Sequence, residues 1–300
     1  MKYTFAILAL VSVLSNTANA ALNIVTTTQD LAAIANSIGA QHVEIYSLTK
    51  GTRDPHFAEA KPSMIRKVHA ADILMLVGAD LEVGWLPAVL RTARNREVQV
   101  GGKGYLDLSQ YVSILGVPTG TIDRSMGDVH ARGNPHYWLQ PDNALHIARA
   151  IASKLTELDA KHRTEYAKNL ADFEQQLHTK IALWKEQLKY LKGEQVISYH
   201  TSLLYLANTF DFDIAREIEP KPGIAPSPSH LAELVSFIKN KKIKWLIMEP
   251  FYETRSADFL RRQTGINIVV VPQSVGSLPT IESYTDLFDS IVAAFNKAKK

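Results

Sequence analysis

Short apolar or β-branched runs alternate with helix-forming stretches over much of this chain. Leu22 to Thr28 is the first such run and leads into Gln29 to Ala35, which reads as a helix. Val43 to Leu48 reads as a strand, Pro62 to His69 as a helix, Ile73 to Val77 as a buried strand, and Leu81 to Arg94 as mostly helix. After Gly193 the alternation resumes. Strands are expected at Gln195–Tyr199, Phe212–Arg216, Trp245–Met248 and Asn267–Val271, and helices at Ser202–Thr209, Ser229–Asn240, Ser256–Thr264 and Ile281–Lys297. Strands alternating with helices imply βαβ units and parallel sheets.

The middle of the chain breaks this rhythm. From about Pro141 to Leu191 it is nearly free of Gly and Pro and rich in Ala, Leu, Lys, Glu and Gln, all good helix formers. Leu170, Phe173, Leu177, Ile181, Trp184 and Leu188 recur at spacings of three and four, which makes one apolar stripe. A break near Asp159 to Arg163 divides the region into two helices. The second, over Arg163 to Leu191, would be about 40 Å long. The expected fold class is α/β: two lobes with parallel-rich sheets flanked by helices, joined by one long helix. The expected boundaries are an N-terminal lobe over 21–162, a linking helix over 163–192 and a C-terminal lobe over 193–300.

The first residues add an address. Lys2, the apolar run Thr4 to Leu14 and the small residues Ala18 and Ala20 form a secretory signal with a cut expected after Ala20. The apolar run is too short to span a bilayer, so residues 1–20 are expected to be removed and the mature protein to be periplasmic. Cysteine is absent from the whole chain, which excludes a disulfide scaffold, thiolate metal sites and a lipid anchor through cysteine. Any bound metal must then use nitrogen and oxygen ligands. Net charge is +3 with basic residues scattered, so no nucleic-acid partner is expected. No second apolar stretch is long enough to cross a membrane.

Of ten histidines, His42, His69, His146, His162, His178 and His230 sit in expected helices or at element ends with charged neighbours. Three others are placed differently. His56, in Asp54-Pro55-His56, follows a strand end, where ligands collect in open α/β sheets. Asp54 can take a hydrogen bond from one of its ring nitrogens. His136, in Asn134-Pro135-His136-Tyr137-Trp138-Leu139, follows a proline in a stiff loop with bulky aromatic neighbours. His200 comes directly after the strand ending at Tyr199, with Thr201 or Ser202 as a helix cap. Alone, His56 reads better as a turn histidine, and His136 and His200 carry little more by themselves; together the three suggest a shared imidazole site. Three neutral imidazoles suit zinc, and also copper or nickel. Glu249 and Gln273 both end strands and reach the same rim, so the fourth position is left to Glu249, Gln273 or water. The loop Gly116 to Gly133, which carries His130, leads into the second motif.

Those motifs, with Tyr199-His200, Pro226-Ser227-Pro228 opening a helix and Glu249-Pro250, resemble the zinc and manganese solute-binding proteins of bacterial ABC importers, the ZnuA/TroA-like group. The resemblance covers essentially the whole mature chain. It implies His56, His136 and His200 as metal ligands, Zn(II) as bound cargo with Mn(II) possible, ABC permease membrane subunits as partners, and no enzymatic activity. A histidine as third ligand favours zinc. A monomer is expected. The family usually supplies an aspartate near the C-terminus, where this chain has Gln273, and many zinc members carry a long His- and Asp-rich loop, which here is short and holds only Asp123, Asp128 and His130. Two other readings remain: a zinc-dependent hydrolase with an open coordination position and Glu249 as base, and a metal-independent surface adhesin.

Overall fold

The computed structural model describes residues 21–120, 127 and 129–299. The expected signal, Asp123 and Asp128 lie outside them. The first half builds a four-stranded sheet from β1 (Leu22–Thr26), β2 (Val43–Ser47), β3 (Ile73–Leu76) and β4 (Tyr105–Asp107). Its order is β2-β1-β3-β4 and every pair is parallel. Helices α1 (Gln29–Gly39), α2 (Pro62–His69) and α3 (Leu86–Ala93) join these strands. The second half repeats the order as β6-β5-β7-β8, again all parallel. Its strands are β5 (Gln195–Ser198), β6 (Asp213–Glu217), β7 (Trp245–Met248) and β8 (Asn267–Val270).

Between the sheets run α4 (Pro141–Leu158) and α5 (Arg163–Gln187). The remaining helices are α6 (Leu204–Phe210), α7 (Pro228–Lys241), α8 (Arg255–Thr264) and α9 (Tyr284–Ala298). Among the described residues no helix is long and apolar enough to cross a membrane.

Local chemistry sets the boundaries. Pro62, Pro141 and Pro228 occupy first helical positions, where a missing N–H costs nothing. Ser227 accepts a hydrogen bond from the His230 amide at the start of α7, and Ser283 with Asp286 forms a capping box on α9. The central strands β3 and β7 are buried at every residue, as expected for parallel strands covered on both faces.

Helix α5 has 25 residues, about 37 Å of helix, and ends four residues earlier than its composition suggests. A short 3-10 turn over Lys189–Leu191 completes the connection. Its stripe residues Phe173, Leu177, Ile181 and Trp184 are buried, and Leu170 partly so. They belong to one core that runs through the inner faces of both sheets with α1, α4 and α9. Separate cores fill the outer faces, under α2 and α3 in one lobe and under α7 and α8 in the other. Trp184 stacks on Phe288 with centroids 5.0 Å apart, and its indole N–H donates to Asp289.

In both sheets the chain direction of winding reverses beside the first strand, so the carboxyl ends of β1 and β3, and of β5 and β7, frame a crevice. The two crevices face one another, and hydrogen bonds across them tie the lobes. Asp30 at the start of α1 accepts from Ser274 Oγ at 2.5 Å and the Val275 amide at 2.9 Å. The Trp138 indole donates to the Gln273 carbonyl, the Tyr284 hydroxyl to the Trp138 carbonyl, and Asn134 Nδ2 to the Thr201 carbonyl.

Candidate metal centre

His56, His136 and His200 meet in this crevice although the sequence separates them by up to 144 positions. His56 sits in a 3-10 turn over Pro55–Phe57 that Asp54 caps. The Trp85 indole holds the Pro55 carbonyl at 3.1 Å. Asp54 Oδ1 accepts from both the His56 amide, at 2.9 Å, and Nδ1, at 2.6 Å. Burial opposes the Asp54 carboxylate, but the His56 hydrogen bond and charge prevail and hold its pKa below the ordinary value.

His136 repeats the device with an amide. Asn134 Oδ1 accepts from the His136 amide and from Nδ1, each at 3.0 Å. The ring is buried against Trp138. Burial, then the neighbouring imidazoles, push its pKa well below the ordinary histidine value, so it is a neutral donor of a lone pair.

His200 follows β5 in extended conformation. Its Nδ1 donates to Glu219 Oε2 at 2.7 Å, and the same oxygen takes the Gly223 amide at 2.9 Å. Burial lowers the His200 pKa, but the Glu219 hydrogen bond and charge outweigh it and raise the net value. The expected cap on the following helix is absent: α6 has no side-chain cap, and Ser202 gives its hydroxyl to Glu249 Oε1 instead.

All three rings therefore have Nδ1 committed to an oxygen acceptor. A carboxylate or amide oxygen can only accept, so Nδ1 carries the hydrogen, and in each ring's neutral form the lone pair is on Nε2. Orientation of a ligating imidazole by an oxygen on its other nitrogen is the usual support of a metal-bound histidine.

A zinc site sets a scale for convergence. Two imidazoles bound through Nε2 at about 2.0–2.1 Å in a tetrahedron have nitrogens about 3.3 Å and ring centroids about 5.2 Å apart. The centroids of His56 and His136 are 5.0 Å apart. Those of His136 and His200 are at 6.0 Å and those of His56 and His200 at 6.2 Å. Among the described residues, no three His, Cys, Asp or Glu side chains already stand at metal-holding separation. The rings converge without closing, and the gap is on the His200 side, by about 1 Å on that scale.

The remaining candidates differ. Glu249 directly follows β7 and is fully buried; one oxygen takes the Ser202 hydroxyl and Oε2 has no hydrogen-bond partner. Burial raises its pKa to about 7. Gln273 is buried, and its main-chain carbonyl anchors the Trp138 indole. A fourth ring stands beside the trio: His130 Nε2 lies 3.1 Å from His56 Nε2, with centroids 5.1 Å apart. Of the other histidines, His42 and His162 stack on each other and bind Glu165 and Asp159, and His69 binds the Ala93 carbonyl. Sequence reasoning named Asp54 as a ring partner but missed Glu219, whose only signal is a carboxylate just past the end of β6.

The family model described as zinc-uptake complex component A, periplasmic, matches residues 24–298. The metal ABC transporter substrate-binding lipoprotein ScbA of Streptococcus cristatus is 24% identical over 259 residues, 85% of this chain and 80% of that protein. The manganese ABC transporter substrate-binding lipoprotein scaA of Streptococcus gordonii is also 24% identical, with the same shares covered. A crystal structure of ZnuA superposes with a TM-score of 0.76 at 22% identity, covering 93% of this chain and all of that one. These relatives are binding components of transporters, not enzymes. The hydrolase expectation is thereby set aside, and the chain belongs to the ZnuA family of periplasmic metal-binding components of ABC transporters.

Proposed function

We propose that this protein captures Zn(II) in the periplasm through Nε2 of His56, His136 and His200 and delivers it to the membrane permease subunits of an ABC importer. In the same reading it is exported by a cleaved signal over residues 1–20 and works as a monomer, with lobes at 21–162 and 193–300 joined through 163–192. The observation that carries the reading is the shared set of ring restraints. Asp54, Asn134 and Glu219 each hold one Nδ1–H, so three rings are oriented with Nε2 as the metal-facing nitrogen before any metal arrives. Such preorganisation reduces the ordering cost of binding.

Imidazole nitrogen supports zinc over manganese, since Mn(II) suits carboxylate, carbonyl and water oxygen better. The relatives leave both metals in view: one is named for manganese and the matching family for zinc uptake. Competitive titration of the purified mature protein with Zn(II) and Mn(II) tests the reading. Tighter zinc binding that is lost in His56→Ala, His136→Ala and His200→Ala supports it. Equal or tighter manganese binding overturns the metal, and variants that bind like the parent overturn the site.

A further inference from the structure

We propose that His130 is the fourth metal ligand, so that zinc is held by four imidazoles rather than by three and a carboxylate, amide or water. The inference rests on the three-histidine reading above and extends it.

The carrying observation is the pairing of His130 with His56. Their Nε2 atoms are 3.1 Å apart and their centroids 5.1 Å apart. The tetrahedral zinc scale asks for about 3.3 Å and 5.2 Å. This one pair is within a few tenths of an ångström of the zinc spacing.

Tautomers explain the contact. Asp54 takes the Nδ1–H of His56, so in the neutral ring that binds metal His56 Nε2 is an acceptor. The 3.1 Å contact is then an N–H···N bond donated by His130 Nε2. A metal ion takes the place of that shared hydrogen. With its proton on Nδ1 instead, His130 stays neutral and both Nε2 lone pairs would face the ion. No net proton is released in this step.

The backbone fixes where His130 arrives. The His130 carbonyl accepts from the Gly133 amide at 3.1 Å, and Gly133 has φ 95°, the left-handed region that glycine enters without strain. A Cβ there would stand 2.5 Å from Ile114 Cγ2. Arg132 binds the first lobe through Asp80, Asp107 and Ser109. His130, His136 and His56 are thus all presented from first-lobe segments, and His200 alone comes from the second.

Glu249 has one oxygen on the Ser202 hydroxyl and its Oε2 unpartnered, so it is the rival that the test separates from His130. Four neutral ligands leave the ion its full charge of two. The Asp54 and Glu219 carboxylates, each bound to the far nitrogen of a ligand ring, balance it without touching the ion. An all-nitrogen shell of this kind disfavours manganese, magnesium and calcium.

The test is zinc competition titration of the full mature protein together with zinc X-ray absorption, which counts imidazoles. The variants are His130→Ala, Glu249→Gln and His56→Ala. His130 lies in a part-exposed loop, and circular dichroism checks that its variant folds. The parent should show four imidazoles and His130→Ala three. Affinity should fall at least on the order of tenfold, the scale on which groups one bond further out already act. Unchanged affinity and imidazole count in His130→Ala, with binding lost in His56→Ala, overturns the proposal and leaves the three-histidine site standing. Loss in Glu249→Gln but not in His130→Ala also overturns it, assigning the position to Glu249. Binding indifferent to His56→Ala overturns this proposal and the reading beneath it together.

Discussion

Glu219 is the residue on which the readiness of His200 depends, and replacing it separates charge from orientation. Its Oε2 is 2.7 Å from His200 Nδ1 and also takes the Gly223 amide. Through the ring, this oxygen would stand about 6–7 Å from a zinc bound at Nε2, given a Zn–N length of about 2.0–2.1 Å. One negative charge and a divalent ion at that distance attract by about 5 kcal/mol at an effective dielectric of 20. Much of this is offset, because the same carboxylate also stabilises a competing proton on His200 and raises its pKa. The expected net loss in Glu219→Gln is therefore nearer the 10–100-fold typical of such partners, roughly 1.4–2.7 kcal/mol. Gln keeps an oxygen that accepts from Nδ1, so it removes charge and spares orientation. Glu219→Ala removes both and leaves the Gly223 amide without its acceptor, so it should bind more weakly still. Zinc competition titration of both variants at neutral pH, with circular dichroism to confirm folding, is the measurement. Parent-like affinity in Glu219→Ala would refute the reasoning, since neither charge nor orientation would then matter to the site.

Three further outcomes follow from the packing. Burial lifts Asp30 from 3.8 to about 7, so the native state holds its proton more tightly than the unfolded chain. Stability linked to this group is full below about pH 4 and is lost as pH rises towards 7; urea melts across that window should show a flatter profile for Asp30→Asn than for the parent. Gly51→Ala places a Cβ 2.0 Å from the Val275 carbonyl oxygen, and the forced shift between lobes should cost about 1–3 kcal/mol, read as a lower thermal midpoint. Trp184→Ala removes the Phe288 stack and the Asp289 hydrogen bond and should cost about 3–5 kcal/mol, seen as a lower urea midpoint with the metal site's affinity little changed.

The parallel α/β architecture was legible because each long element has a clear period and clear ends. Pro62, Pro141 and Pro228 mark helix starts that the structure keeps. Where sequence and structure part, tertiary contacts override local preference. Leu81 to Trp85 looks helical, yet α3 begins only at Leu86. Ala79 and Asp80 adopt positive φ, which an alanine does not advertise. Glu82 clamps the turn by accepting from the Val77 and Gly78 amides. Strand β4 has only three residues and is too short to show a period. At the site, His56, His136 and His200 could be singled out because proline or a strand end positions each. Glu219 could not, because its relation to His200 exists only once β6 lies beside β5. The neighbourhood of His130 likewise depends on the path of its loop, which spacing does not encode.

The same short segment that presents His136 also joins the lobes. Asn134 orients His136 through Oδ1, while its Nδ2 donates across to Thr201 and its carbonyl accepts from the Tyr205 hydroxyl. Two residues beyond His136, Trp138 donates to Gln273 and accepts from Tyr284. With the two bonds from Asp30, these six contacts are worth roughly 3–9 kcal/mol at the usual net value per bond, before the packing of α5 and α9 is counted. A wide swing of the lobes would forfeit most of that, whereas closing the His200 gap asks for only about 1 Å. If the proposed site is right, binding by a small approach of His200, with the lobes otherwise held, is therefore the less costly route. Release follows the same logic in reverse. A membrane partner that strained the Asn134–Trp138 segment would displace His136 and loosen the lobe contacts in one movement, because the same residues make both sets of bonds.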